Sequence, residues 1–167
     1  MRTTATAALV LIASTSLAFA QQPAANPAAS RTMVSAADVA AMMAKAKAER
    51  KPDQANLAQS MIQLAPYNVS LEYRAAVGPA AVHDTEAELF YVVDGSATLV
   101  TGGKLTADAT RNGANLTGKG IEGGTSRKVA KGDFIMVPEN IPHWFSAIDG
   151  TVVLMSLHLP HAAATAK

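Results

Sequence analysis

Cysteine is missing from all 167 residues. Its absence excludes disulfides, thiol nucleophiles and thiolate ligands, so stability must come from a packed core and any metal must be held by imidazole and carboxylate. Excess charge is missing as well, with 14 basic and 13 acidic side chains. Near-neutrality leaves no electrostatic footprint for nucleic acid or anionic membranes. There is no G-x-S-x-G nucleophile elbow and no phosphate loop, and nothing reads as the strand, glycine turn and helix of a dinucleotide fingerprint. No internal repeat is visible.

What is present begins with an export signal. Arg2 is a positive n-region, Ala7 to Leu17 a short apolar stretch, and Ala18-Phe19-Ala20 an A-x-A cleavage signal. Residues 1–20 are therefore expected to be a signal peptide cut near Ala20, leaving a periplasmic or secreted protein with no membrane segment in its mature form. Loss of Arg2 brings the charge to zero. Residues 21–34, rich in Ala, Pro and Asn, read as a flexible lead-in. Residues 35–52 read as one amphipathic helix, capped by Ser35 with Asp38 in its first turn and stopped by Pro52. Lys45, Lys47, Arg50 and Lys51 read as a solvated helix face.

Residues 57–160 read as a β domain, and 161–167, with His161, as a disordered tail. Met61–Leu64, Asn68–Ala76, Leu89–Val93, Ala97–Thr101, Thr125–Val129, Phe134–Val137, Trp144–Ile148 and Thr151–Leu159 have strand character. Asp94-Gly95, Lys131-Gly132-Asp133 and Asp149-Gly150 read as hairpin turns. Lys104 to Gly124 is a long Gly, Asn and Thr-rich stretch, read as a surface insertion in preference to an active-site flap. So many short strands predict an all-β sandwich or barrel.

Two segments carry candidate chemistry. One runs from His83 through Glu88 to Gly95, the other from Gly132 through Pro138 to His143. Alternation puts Glu88 with Phe90, and His143 with Phe145, on common faces. If those faces point inward, two imidazoles and a carboxylate meet beside phenylalanines that keep the site dry. Such a set suits a divalent Fe, Mn, Ni or Zn ion with positions left for substrate. His158 could supply a replacement ligand from the last strand, although a surface or hydrogen-bonded histidine is the preferred reading. Glu86 reads as a solvated carboxylate. One of Tyr73 and Arg74 must face inward, where Arg would suit a substrate carboxylate. Trp144 reads as packing against the helix or a dimer partner.

These two segments resemble the paired motifs of the cupin superfamily, in the manner of a small single-domain, type-2-like cupin. The first motif has Gly, His-x-His, three or four residues, Glu, six residues and Gly. His83 matches its second histidine, with Glu88 and Gly95 at matching spacing. The second has Gly, five residues, Pro-x-Gly, two residues, His, three residues and Asn, and Gly132, Pro138 and His143 match it. Ala81 stands at the first histidine, Asn140 at the Gly of the Pro-x-Gly turn and Ala147 at the final Asn.

The resemblance implies a cupin-like β-barrel or jelly roll with one short N-terminal helix, and a homodimer, with Met61–Leu64 a candidate for joining the partner's sheet. It also implies a divalent metal held by His83, Glu88 and His143, with Tyr73, Arg74, Phe90, Phe145 and His158 as possible substrate-lining residues. Metal-dependent enzymes on small oxygenated molecules (dioxygenases, isomerases, decarboxylases, lyases) are the first functional expectation. A non-catalytic small-ligand or sugar-binding cupin that has lost part of the metal site is the alternative.

Overall fold

A computed structural model describes residues 31–161. The expected signal peptide, most of the lead-in and the tail beyond His161 lie outside the described residues. Helix α1 (Ala36–Glu49) starts where expected, closed by a capping box in which Asp38 N donates to Ser35 Oγ and Ser35 N donates to the Asp38 carboxylate. Val39, Met42 and Met43 pack it onto Met61, Val69, Leu71 and Val153. Those residues face outward from β1 (Asn56–Leu64), β2 (Tyr67–Arg74) and β11 (His143–Pro160).

The remaining strands are β3 (Ala80–His83), β4 (Glu86–Thr101), β5 (Lys104–Leu105), β6 (Thr110–Asn112), β7 (Asn115–Gly118), β8 (Ile121–Glu122), β9 (Thr125–Ala130) and β10 (Phe134–Val137). One antiparallel sheet holds all but β5 and β8, and it wraps around a dry core of Phe90, Val92, Leu99, Val137, Phe145, Val152 and Leu154. β11 is its spine. It pairs with β4 from Thr101 to Glu86, with β2 from Arg74 to Asn68, and with Ala81 of β3.

Three of the expected turns come out differently. Asp94-Gly95 and Asp149-Gly150 lie inside β4 and β11, where the register of that pair shifts. Gly95 takes φ +80, and a Cβ there would meet Thr151 O at 2.0 Å, so the glycine serves a close backbone approach in a bend. Lys131-Gly132-Asp133 does turn the chain, but β9 and β10 pair with β4 and not with each other. The Lys104–Gly124 stretch is not an irregular insertion. It forms a β6–β7 hairpin, and β7 pairs with β3 beside His83.

Candidate metal centre

Glu88 begins the inward face of β4, and its partner across the ladder is His158 of β11. His83 ends β3, and the turn after it is fixed by Asn140, which takes φ +62 as a left-handed Asn can. Asn140 N donates to His83 O at 2.8 Å and its side chain donates to Asp84 O at 3.2 Å. The turn that carries the second segment thus holds the first in place. His143 opens β11, opposite Thr101 of β4 and Ala81 of β3.

These elements bring four side chains together. His83 Nε2 and His143 Nε2 each lie 3.1 Å from Glu88 Oε2, and His158 Nε2 lies 3.4 Å from Glu88 Oε1. His83, Glu88 and His158 each offer a donor atom within 4.8 Å of the others. Glu88 and His143 are buried, at 4% and 5% exposure. His158, expected as a surface or hydrogen-bonded residue, is hydrogen-bonded and also belongs to this cluster. Glu86 is not simply solvated: its carboxylate accepts from His158 Nδ1 at 3.0 Å.

The far side of each imidazole is held as well. His83 Nδ1 contacts Asn115 Oδ1 at 2.7 Å, and His143 Nδ1 contacts Ile141 O at 3.3 Å. A carbonyl or carboxylate oxygen only accepts, so Nδ1 carries the proton in all three rings. Each Nε2 then faces the Glu88 carboxylate, as a hydrogen-bond donor where the ring is doubly protonated and as a lone pair where it is neutral. Contacts of 3.1–3.4 Å between acceptors require a cation among them, either a proton on an imidazole or a metal ion.

Ionisation follows the same logic. Burial opposes charge on Glu88, but hydrogen bonds from His143 and His83, the charge of His143 and the Ser156 hydroxyl hold its carboxyl far below the usual range. Ser156 Oγ donates to Glu88 Oε1 at 2.5 Å. The hydrogen bond to Glu88 raises the His83 pKa against the lowering effect of burial, with a further upward contribution from Asn115.

The cluster forms part of a cavity of about 400 Å³, which Ala55, Asn56, Glu72, Arg74, Pro79 and Ala81 also line. Arg74 is the inward member of its pair. Tyr73 packs outward in the apolar cluster that faces α1 and is not substrate-lining. Phe90 and Phe145 sit in the core and do not line the cavity, although Phe90 packs against the His143 ring and Phe145 lies under the Arg74 guanidinium. Trp144 does not pack on the helix: its Nε1 donates to Gly78 O at 2.9 Å and its ring covers Gly120. His161 is tied down, its N–H donating to Thr85 O and its ring contacting Glu139 at 3.1 Å.

Sequence reading missed Asn115, Ser156 and Glu72. Ser156 and Glu72 could have been found, since each lies two residues from an inward-facing His158 or Arg74 on its own strand. For Asn115 there was no such signal, because its segment lacks any periodicity.

No curated protein matches the chain. Among solved structures, BH2720 of Bacillus halodurans is similar with TM-score 0.52 and 11% identity, over 82% of this chain and 87% of that one. KdgF from a Halomonas species gives TM-score 0.49 and 15% identity, over 68% and 86%. Fe(II) HppE gives 0.48 and 15% over 66% of this chain, which spans only 53% of that longer protein. A family model described as Cupin matches residues 50–165, the whole sheet included. This chain, with its jelly-roll sheet and its His-Glu-His segments, belongs to the cupin family.

Proposed function

We propose that the protein is an exported, metal-dependent cupin enzyme acting on a small oxygenated substrate. His83, Glu88 and His143 would hold a divalent ion, with His158 as a fourth donor in place of the imidazole that Ala81 cannot supply. The observation that carries this reading is the convergence of three imidazole Nε2 atoms within 3.1–3.4 Å of one buried carboxylate, while each Nδ1 is held by an oxygen on its far side. Protein metal sites orient imidazole in this way. Imidazole nitrogen and carboxylate oxygen suit Fe(II), Mn(II), Ni(II) or Zn(II).

When bound, such an ion supplies Lewis acidity toward a carbonyl or carboxylate oxygen. The protein's own groups do the rest. Ser156 fixes the Glu88 carboxylate. Phe90 and Phe145 seal the floor beneath His143 and keep water from entering by that side. Ala81, facing the cavity, leaves room where a larger side chain would block substrate.

The test is elemental analysis of untagged protein purified from the exported fraction. Close to one metal per chain is expected, lost in His143→Ala and in Glu88→Ala while circular dichroism stays native. Native-folded protein that takes up no metal on dialysis against each of the four ions would overturn the reading and leave a non-catalytic binding cupin.

A further inference from the structure

β10 pairs with β4 along one side and with no strand along the other, among the described residues. Phe134 and Met136 stand on its outward face at 68% and 51% exposure, and the Phe134 ring lies 4.6 Å from that of Tyr91. They extend two apolar rows, Phe134–Tyr91–Met155 and Met136–Leu89–Leu157, whose far ends lie in the cluster under α1. Val92 N donates to Asp133 O at 2.9 Å, so alternation turns the N–H and C=O of Phe134 and Met136 toward the free edge. Charge or proline ordinarily blunts such an edge, and Phe134–Val137 has neither.

The opposite edge of the sheet is different. On β1, Met61 is buried beneath α1, and Gln63 N already donates to Arg31 O at 3.0 Å. Residues 21–30 and 162–167 hold no large apolar side chain that could cover Phe134 and Met136.

We propose that β10 is a self-association edge, on which a second copy of the chain pairs antiparallel about a two-fold axis through Ile135. The contact expected at Met61–Leu64 thereby moves to the other side of the sheet. Phe134 then faces the partner's Met136, and Met136 the partner's Phe134, an aromatic–thioether contact made twice. The backbone groups left free by β4 close a ladder between the two strands.

Charge favours the same register. Lys131 lies four residues before Ile135 and Glu139 four after it, so each Lys131 meets the partner's Glu139. A parallel pairing would instead set lysine against lysine and glutamate against glutamate. Within its own chain Lys131 Nζ lies 3.3 Å from Asp94, and Glu139 lies 3.1 Å from His161. Both side chains stay accessible enough for a second contact. No residue lining the metal centre's cavity belongs to β10, so the pairing leaves that cavity uncovered. Four strand residues a side bury less than a standard interface of roughly 1,600 Å², which sets the dimer Kd on the order of 10 μM.

Sedimentation equilibrium of the untagged chain from about 1 μM to about 1 mM tests this. A monomer–dimer equilibrium is expected. Phe134→Lys should weaken it about tenfold or more while circular dichroism stays native. Lys131→Glu and Glu139→Lys should each weaken it about three- to tenfold at low salt. The double variant Lys131→Glu/Glu139→Lys should recover the constant of the unmodified chain, a reversal that a contact elsewhere on the surface would not produce. A chain that stays monomeric over this range overturns the proposal. So does association that Phe134→Lys leaves unchanged, or a double variant that binds no tighter than its singles.

Discussion

His158 shows how far a single side chain can alter the character of a site. Ala81 stands where the cupin motif has its first histidine, and an imidazole from the neighbouring strand β11 reaches the Glu88 carboxylate. His158→Ala is expected to lower metal affinity by about 10–100-fold, and Asn115→Leu, which frees the His83 ring, by a similar factor. Chelator competition with an indicator dye measures both, and an unchanged affinity in His158→Ala would place that residue outside the site.

Titration provides a second check at this scale. In metal-free protein the raised His83 pKa contributes stability that is complete below its ordinary value of 6.5 and is lost as pH rises through the raised value. The depressed Glu88 pKa contributes stability present above its ordinary 4.5 and lost as pH falls toward the lowered value. Metal-free Tm should therefore peak between about pH 4.5 and 6.5 and decline on both sides. With metal bound the alkaline decline should disappear, because coordination needs neutral imidazole. Scanning calorimetry with and without chelator reads this directly.

Among the elements, β11 decides the geometry. His143 and His158 stand fifteen residues apart on one strand, yet both lie within 3.4 Å of Glu88. A straight strand would hold them roughly 50 Å apart. The shifts of register around Phe145, Ile148–Val152 and Val153 bend the strand back on itself. Gly95→Ala should therefore disrupt folding outright, since its Cβ would overlap Thr151 O in the bend. Asn140→Ala should cost about 1–2 kcal/mol in denaturant unfolding from its left-handed backbone, with Asn140→Gly recovering much of it.

This bend also marks the limit of sequence reading. Alternation pairs Glu88 with Phe90 and His143 with Phe145 on common faces, because period two is a local property, and the fold turns both faces inward. Asp-Gly is equally good chemistry for a hairpin and for a bulge, so Asp94-Gly95 and Asp149-Gly150 were read as turns inside what are two long strands. Which partner each strand finds is set by distant pairing. For the same reason the Asn115 hairpin looked like an insertion.

For the molecule as a whole, stability divides between two apolar clusters on opposite sides of one sheet. The inner one also floors the site, so Phe90→Ala should cost about 3–5 kcal/mol. It should also loosen His143, whose ring lies 5.9 Å from that of Phe90. The expected joint signature is a lower denaturation midpoint together with weaker metal retention. Ser35→Ala, at the capping box outside the site, should cost about 1 kcal/mol and leave metal retention unchanged.

Both ends of β11, the start of β4 and the end of β3 converge on a few ångströms, in a chain that cannot form a sulfur cross-link. An ion seated there would staple residues 83, 88, 143 and 158 into closed loops, restricting the denatured ensemble as a disulfide does. Unlike a disulfide, that staple would resist reductants and open to acid or to a chelator, so durability would depend on metal supply and not on oxidising conditions.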